Sequence, residues 1–212
     1  MRKLIILIAL FLLPLITLSQ SVNDNKDGFT EVIEIELTQE EIYNKIKEWV
    51  VINYKSAQDV IQLDSKDKII IKGNISYNYQ GETKDAPLFD LRLDNTMIFS
   101  IRDNKYKIDF TPTKAIRKQG GTTVNDWIYL DLINTLEEDE FVQIKLERAR
   151  NGLSNAGFKG KKLEKYMEMN SESLKNYGYD IYLKNKEVFN SKIESIYKSV
   201  KEFISLSSED EW

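Results

Sequence analysis

The chain contains no cysteine and no histidine, and only three prolines in 212 residues. Without cysteine there is no disulfide framework, no thiol nucleophile and no cysteine-ligated zinc site. Without histidine the commonest general base and the commonest transition-metal ligand are missing, so Ser-His-Asp and Cys-His catalysis within one chain is excluded. Carboxylate, lysine and tyrosine chemistry stay open. What is present suffices for folding: 42% of the residues are apolar and 30% charged, enough for the packed core of one domain with an appendage at most.

The N-terminus reads as an address. Arg2 and Lys3 precede an apolar run over residues 4–18 that is interrupted by Pro14. Thr17 and Ser19 place small residues at the −3 and −1 positions of a cut between Ser19 and Gln20. A basic start, a short apolar run and a small-residue site describe a secretory signal peptide over residues 1–19. The run is shorter than the roughly 20 residues of a spanning helix. No cysteine follows it, so a lipid anchor is not expected. Cleavage removes two basic residues and no acid, taking the net charge from −4 to −6. An acidic exported chain is not expected to bind nucleic acid, which asks for clustered positive charge. The expected location is periplasmic or secreted, with membrane contact at most peripheral after cleavage.

Residues 20–28 read as a polar linker. From Phe29 the apolar residues alternate through Ile35 and Leu37, the pattern of a half-buried strand. Thr38 with Glu41 forms a capping box, and the helix it opens carries Ile42, Ile46, Trp49 and Val50 on one face, continuing to about Lys55. Strands are expected over 59–64 and 68–79, then around Phe89–Leu91–Leu93, around Met97–Phe99–Ile101 and around Tyr106–Ile108–Phe110, the last two joined at Asp103-Asn104. Residues 113–121, with Gly120 and Gly121, read as a break. Beyond it the period turns helical, with irregular chain expected at Gly152, Gly157 and Gly160. The clearest element is the last, an amphipathic stripe from Val188 to Ile204. Residues 207–212 form an acidic tail.

The segment 29–112 is similar to an uncharacterised domain family of exported bacterial proteins, a domain of unknown function with a TBP-like fold. The carrying residues are F-T-E-V-I-E-I from Phe29, the helix ending in Trp49, S-A-Q-D-V-I-Q from Ser56, I-I-I-K-G from Ile69, and F-S-I-R-D-N-K-Y-K-I-D-F from Phe99. Gly73 is the one glycine around the third strand, where the family carries more. The resemblance implies an α+β fold: an antiparallel sheet built as strand, helix, four or five strands, helix. It brings no activity and no catalytic residue. The chain supplies its second helix late, at 186–206, so the expected organisation is a TBP-like domain over 29–115 and a mostly helical insertion over 116–185. Both helices would cover one sheet face and leave the other more open.

Several constellations are candidates for chemistry. Asn23, Asn25, Asp27, Gly28 and Glu34 fall at positions 1, 3, 5, 6 and 12 of a calcium-loop pattern, but with Asn at the first position they read better as linker entering a strand. The acids Glu137, Glu138, Asp139 and Glu140 point around a helix and cannot converge on one cation, so no metal is assigned. Between Lys145 and Lys165 stand Lys145, Arg148, Arg150, Lys159, Lys161, Lys162 and Lys165 against Glu147 and Glu164. This basic stretch in an acidic protein suits an anionic surface or an acidic envelope protein, with Lys159, Lys161, Lys162 and Lys165 as the partner-binding candidates. Tyr77 and Tyr79, with Tyr177, Tyr179 and Tyr182, offer stacking surfaces or core, and Gly178 is expected to interrupt any helix there.

The expectation is an exported envelope protein that acts as a non-enzymatic interaction or binding module, without cofactor. The alternatives are a carboxylate- or metal-dependent hydrolase of envelope glycans, which requires two converging acids, and a structural subunit of an envelope assembly.

Overall fold

Period-two alternation carries the chain through an antiparallel sheet in the computed structural model, which describes residues 23–25, 28–81, 88–119, 122–126 and 128–206. Among these residues β1 (Asn23–Asn25), β2 (Gly28–Glu34), β3 (Ile61–Ser65), β4 (Lys68–Gln80), β5 (Leu88–Arg102), β6 (Lys105–Gln119) and β7 (Thr122–Asp126) form one sheet. Their order is β1-β2-β6-β5-β4-β3, and β7 lies beside the far half of β6. The helices are α1 (Gln39–Asn53), a single turn α2 (Ala57–Val60), α3 (Ile128–Ile133), α4 (Glu138–Asn155), α5 (Gly160–Ser173) and α6 (Tyr179–Ser205). The signal segment and its cut site, most of the linker, Gly120, Gly121 and the acidic tail lie outside the described residues. No described helix is long and apolar enough to cross a membrane.

Local chemistry sets the start of α1. Thr38 accepts from the Glu41 amide at 3.3 Å, and Glu41 accepts from the Thr38 amide at 2.8 Å, so two amides at the helix start are satisfied reciprocally. The Thr38 hydroxyl, which donates to Glu41 Oε2 at 2.7 Å, and then the Thr38 amide hold the Glu41 carboxyl below its usual range. The turn between β5 and β6 places Asn104 at φ 62°, a left-handed conformation that asparagine tolerates.

The inner sheet face is apolar. Ile69, Ile71, Tyr77 and Tyr79 of β4, Leu91, Leu93, Met97 and Phe99 of β5, and Tyr106, Ile108 and Phe110 of β6 are buried there. Helices α1 and α6 cover this face. Trp49 packs edge-on to Phe99 and donates from Nε1 to Ser199 Oγ at 3.0 Å, tying the two helices together. Phe189 of α6 contacts Phe29 and Tyr77, and the Tyr197 hydroxyl donates to the Phe29 carbonyl at 2.9 Å. Burial, with the nearby Asp109 and Glu31 carboxylates, pushes the Tyr197 hydroxyl well above its usual range. The outer face carries Lys68, Lys72, Arg92, Asp94, Lys107 and Asp109, and no described helix covers it.

A second core is helical. Phe141 stacks on Tyr182, which also stacks on Tyr179; Leu136, Val142 and Leu174 close around them. The Tyr182 hydroxyl accepts from the Leu136 amide and donates to the Asn134 carbonyl. Helix α6 serves both cores, its first turns here and its later turns on the sheet. At 27 residues it is about 40 Å long.

Four local expectations are revised. Residues 88–102 form one strand without a break. The expected break at 113 is instead the continuation of β6 to Gln119, followed by β7, so the segment after 115 opens with sheet. Gly152 lies inside α4. Gly178 does not end a helix: a π-helical turn (Leu174–Gly178) joins α5 to α6 without interruption, and Gly178 is buried. A buried glycine in a helix costs only about 1 kcal/mol, and packing against the second core offsets it.

Glu31 is buried on the inner face, with Lys201 Nζ at 2.9 Å. Removing the cation would leave an uncompensated carboxylate. Lys201→Ala is therefore expected to destabilise the fold by about 2 kcal/mol, less than a fully buried pair because the ammonium is partly solvated. Adding Glu31→Gln should restore at least half of the loss. Urea unfolding of the single and double variants measures both.

Candidate functional site

Where β3 ends, a cleft opens. The β3–β4 ladder stops at Ile61 opposite Ile71, and from Lys72 onward β4 faces the chain that leaves α1. At the same level β6 carries a bulge. Asp94 pairs with Lys114 but Asn95 with Pro112, leaving Thr113 as the extra residue. Proline lacks the amide a central strand must donate and is accommodated at bulges. The bulge also resets the side-chain parity, so Tyr106, Ile108 and Phe110 before it and Ala115 after it are all buried. Thr113 Oγ1 donates to the Asp94 carbonyl at 3.1 Å and secures the irregular turn of chain.

Opposite Asn95 on β4 is Gly73. A Cβ there would fall 2.8 Å from Cε1 and 3.0 Å from the hydroxyl oxygen of Tyr54, so the tyrosine lies directly on the strand only because residue 73 has no side chain. Tyr54 is the C-cap of α1. Its ring meets Trp49 edge-on at 6.0 Å, and its hydroxyl has Met97 Sδ at 4.0 Å. Burial raises the Tyr54 hydroxyl above its usual range. Tyr54, Ser56, Asp59, Lys72, Asn95 and Thr96 are among the residues lining a cleft of about 800 Å³, a volume typical of small-molecule sites.

Asn95 is only 3% exposed. Its Nδ2 donates to the Leu93 carbonyl at a long 3.5 Å, and its Oδ1 has no hydrogen-bond partner among the described residues. A buried acceptor left unpaired costs about 1–3 kcal/mol. Two carboxylates line the same cleft, Asp59 and Asp94, and Asp94 is engaged by Arg92 at 2.9 Å. Sequence reasoning missed this site. Its signals were Gly73 inside a strand and Pro112 in a strand-forming run, each a mark of irregular pairing.

The basic stretch divides in two. Lys145 and Arg148 flank the buried Asp131 at 3.0 and 2.7 Å, and Arg150 grips Glu164 with both terminal nitrogens, at 2.9 and 3.1 Å. These three cations serve the helical unit. Lys159, Lys161, Lys162 and Lys165 are exposed around the start of α5. Lys162 lies over the Phe158 ring at 4.6 Å; none of the four makes a described ion pair.

The remaining candidates are structural. Tyr77, Tyr79 and Tyr182 are core, and Tyr177 is exposed. The calcium-loop pattern is not a loop. Asn23 and Asn25 lie in β1, Gly28 and Glu34 in β2, and Asp27 outside the described residues. A side chain on Gly28 would collide with the Phe110 carbonyl, so this glycine answers to close strand approach. Glu138, Asp139 and Glu140 sit in the first turn of α4 behind its N-cap Glu137, where the helix dipole favours negative charge. No metal-holding cluster occurs among the described residues.

The Tyr54–Gly73 contact is testable. Gly73→Ala must move the ring, and the expected loss is about 1–3 kcal/mol with an altered Trp49 emission. Thermal unfolding and fluorescence of the variant measure both.

Two solved structures resemble the chain along most of its length. One is the crystal structure of a DUF4468 family protein from Bacteroides ovatus ATCC 8483, 9% identical, covering 90% of this chain and 94% of its own, with a TM-score of 0.46. The other is a TBP-like protein from Parabacteroides distasonis ATCC 8503, 13% identical, with 84% and 96% coverage and a TM-score of 0.44. No curated protein matches. The family model matches from Phe29, at the first long strand, to Lys114, just past the bulge. Residues 29–114 thus match the model of DUF4468, a domain of unknown function with a TBP-like fold.

Proposed function

We propose that the chain is an exported, non-enzymatic interaction module of the bacterial cell envelope, periplasmic or secreted, that docks on an anionic surface through Lys159, Lys161, Lys162 and Lys165. One observation carries the reading: four exposed ammonium groups gather at the start of α5 without a described ion pair, while the other basic residues of the same stretch are neutralised within the fold. Helix starts favour acids, so lysines there work against the helix dipole. Helix stability does not account for them; attraction to negative charge does. The absence of histidine and cysteine favours binding over turnover. The signal-like N-terminus supports export.

Cosedimentation with vesicles tests the docking. Vesicles of phosphatidylglycerol and phosphatidylcholine are expected to retain the protein at low salt and release it as salt rises. Vesicles of phosphatidylcholine alone should not retain it. Lys159→Glu, Lys161→Glu and Lys162→Glu together should weaken retention at least about tenfold, since each basic residue near such a surface is worth about 1 kcal/mol. Equal retention of native and variant protein would sink the proposal. Export is checked by the mass of the protein recovered from the producing cell, expected to begin at Gln20.

A further inference from the structure

The cleft at the bulge carries an inference that does not rest on the docking surface. Several described buried polar atoms lack a hydrogen-bond partner, and Asn95 Oδ1 is the one whose residue lines this cleft. The amide orientation follows from its own contact: Nδ2 faces the Leu93 carbonyl, so the unpaired atom is an acceptor. A group that completes this site must bring a hydrogen-bond donor.

That requirement separates ligand classes. A fully ionised anion has only acceptors and would leave Oδ1 unpaired. An apolar ligand would find little beyond Tyr54 and Val60 to pack against. The charged lining residues nearly balance, Lys55, Lys72 and Arg92 against Asp59 and Asp94, so the lining does not call for a highly charged ligand and admits a neutral one. Hydroxyls both donate and accept, and so match a lining of amides, hydroxyls and carboxylates. An aromatic ring beside such groups offers an apolar surface to the C–H face of a sugar.

We propose that this cleft is a binding site for a neutral saccharide, in which a sugar hydroxyl or acetamido N–H donates to Asn95 Oδ1 and the sugar packs against Tyr54. The bulge around Thr113 and the bare Cα of Gly73 would then be parts of the site, the first positioning Asn95 and the second making room for the tyrosine.

Calorimetric titration of the full chain tests this, with maltose, lactose, mannobiose and N,N′-diacetylchitobiose as neutral probes and inorganic phosphate as the anion. At least one disaccharide is expected to bind saturably, and phosphate is expected not to. Asn95→Leu matches the shape of the side chain but deletes its acceptor. It should weaken the disaccharide at least about tenfold, the loss of one good hydrogen bond, while the unfolding temperature holds or rises because an unpaired polar atom has been removed. Asn95→Ala deletes the acceptor and leaves space, so weakening in both variants assigns the effect to the missing oxygen. Binding of phosphate in place of sugar, binding of none of the four disaccharides, or native affinity in either Asn95 variant would each overturn the proposal. The lysine variants that weaken vesicle retention are expected to keep sugar affinity, so the two sites fail separately.

Discussion

Phe189 rests against Phe29 at 5.6 Å and against Tyr77 at 6.0 Å between ring centroids, joining an N-terminal strand, a central strand and the last helix. The inner sheet face is largely apolar, and α1 alone does not account for its burial. Tyr197, Val200 and Ile204 continue the cover along α6, and the Trp49–Ser199 bond sets the two helices side by side. The same helix carries Tyr182 into the second core. Packing of α6 is therefore the condition under which the sheet and the α3–α5 unit share one fold, with the outer sheet face left to its charged and hydroxylated side chains.

Features written in short range were legible from the chain itself. The capping box needs only Thr38 and Glu41. The buried face of α1 follows from residues three and four apart, and the inward parity of β4 from every second residue between Ile69 and Tyr79. The turn at Asn104 and the stripe of α6 belong to the same class. The likeness to a TBP-like domain extended this reading by supplying the idea that a distant helix completes the sheet.

What escaped depends on partners brought from far away. Pro112, Thr113 and Lys114 resemble the end of a strand until β5 is placed alongside and the extra residue is seen as a bulge. Asn95 looks like an ordinary polar strand residue; its burial and its unpaired oxygen exist only once Gly73 and Pro112 flank it. Tyr54 gives no sign that a glycine 19 positions later will receive its ring. Among the seven basic residues, only the tertiary positions of Asp131 and Glu164 decide which are consumed and which remain for a partner. Gly178 misled for the opposite reason: a local breaker was overruled by the packing of Leu174 and Tyr182 on either side.

The bond from Tyr197 to the Phe29 carbonyl spans 168 positions of sequence, and that from Trp49 to Ser199 spans 150. Local turns and hairpins close quickly, but contacts of such separation wait on chain closure and slow the search for the native state. The first long strand stays without its cover until the final helix has been synthesised. A nascent chain halted anywhere before α6 thus has part of its apolar sheet face exposed, and the sheet gains its full cover only once α6 has left the ribosome.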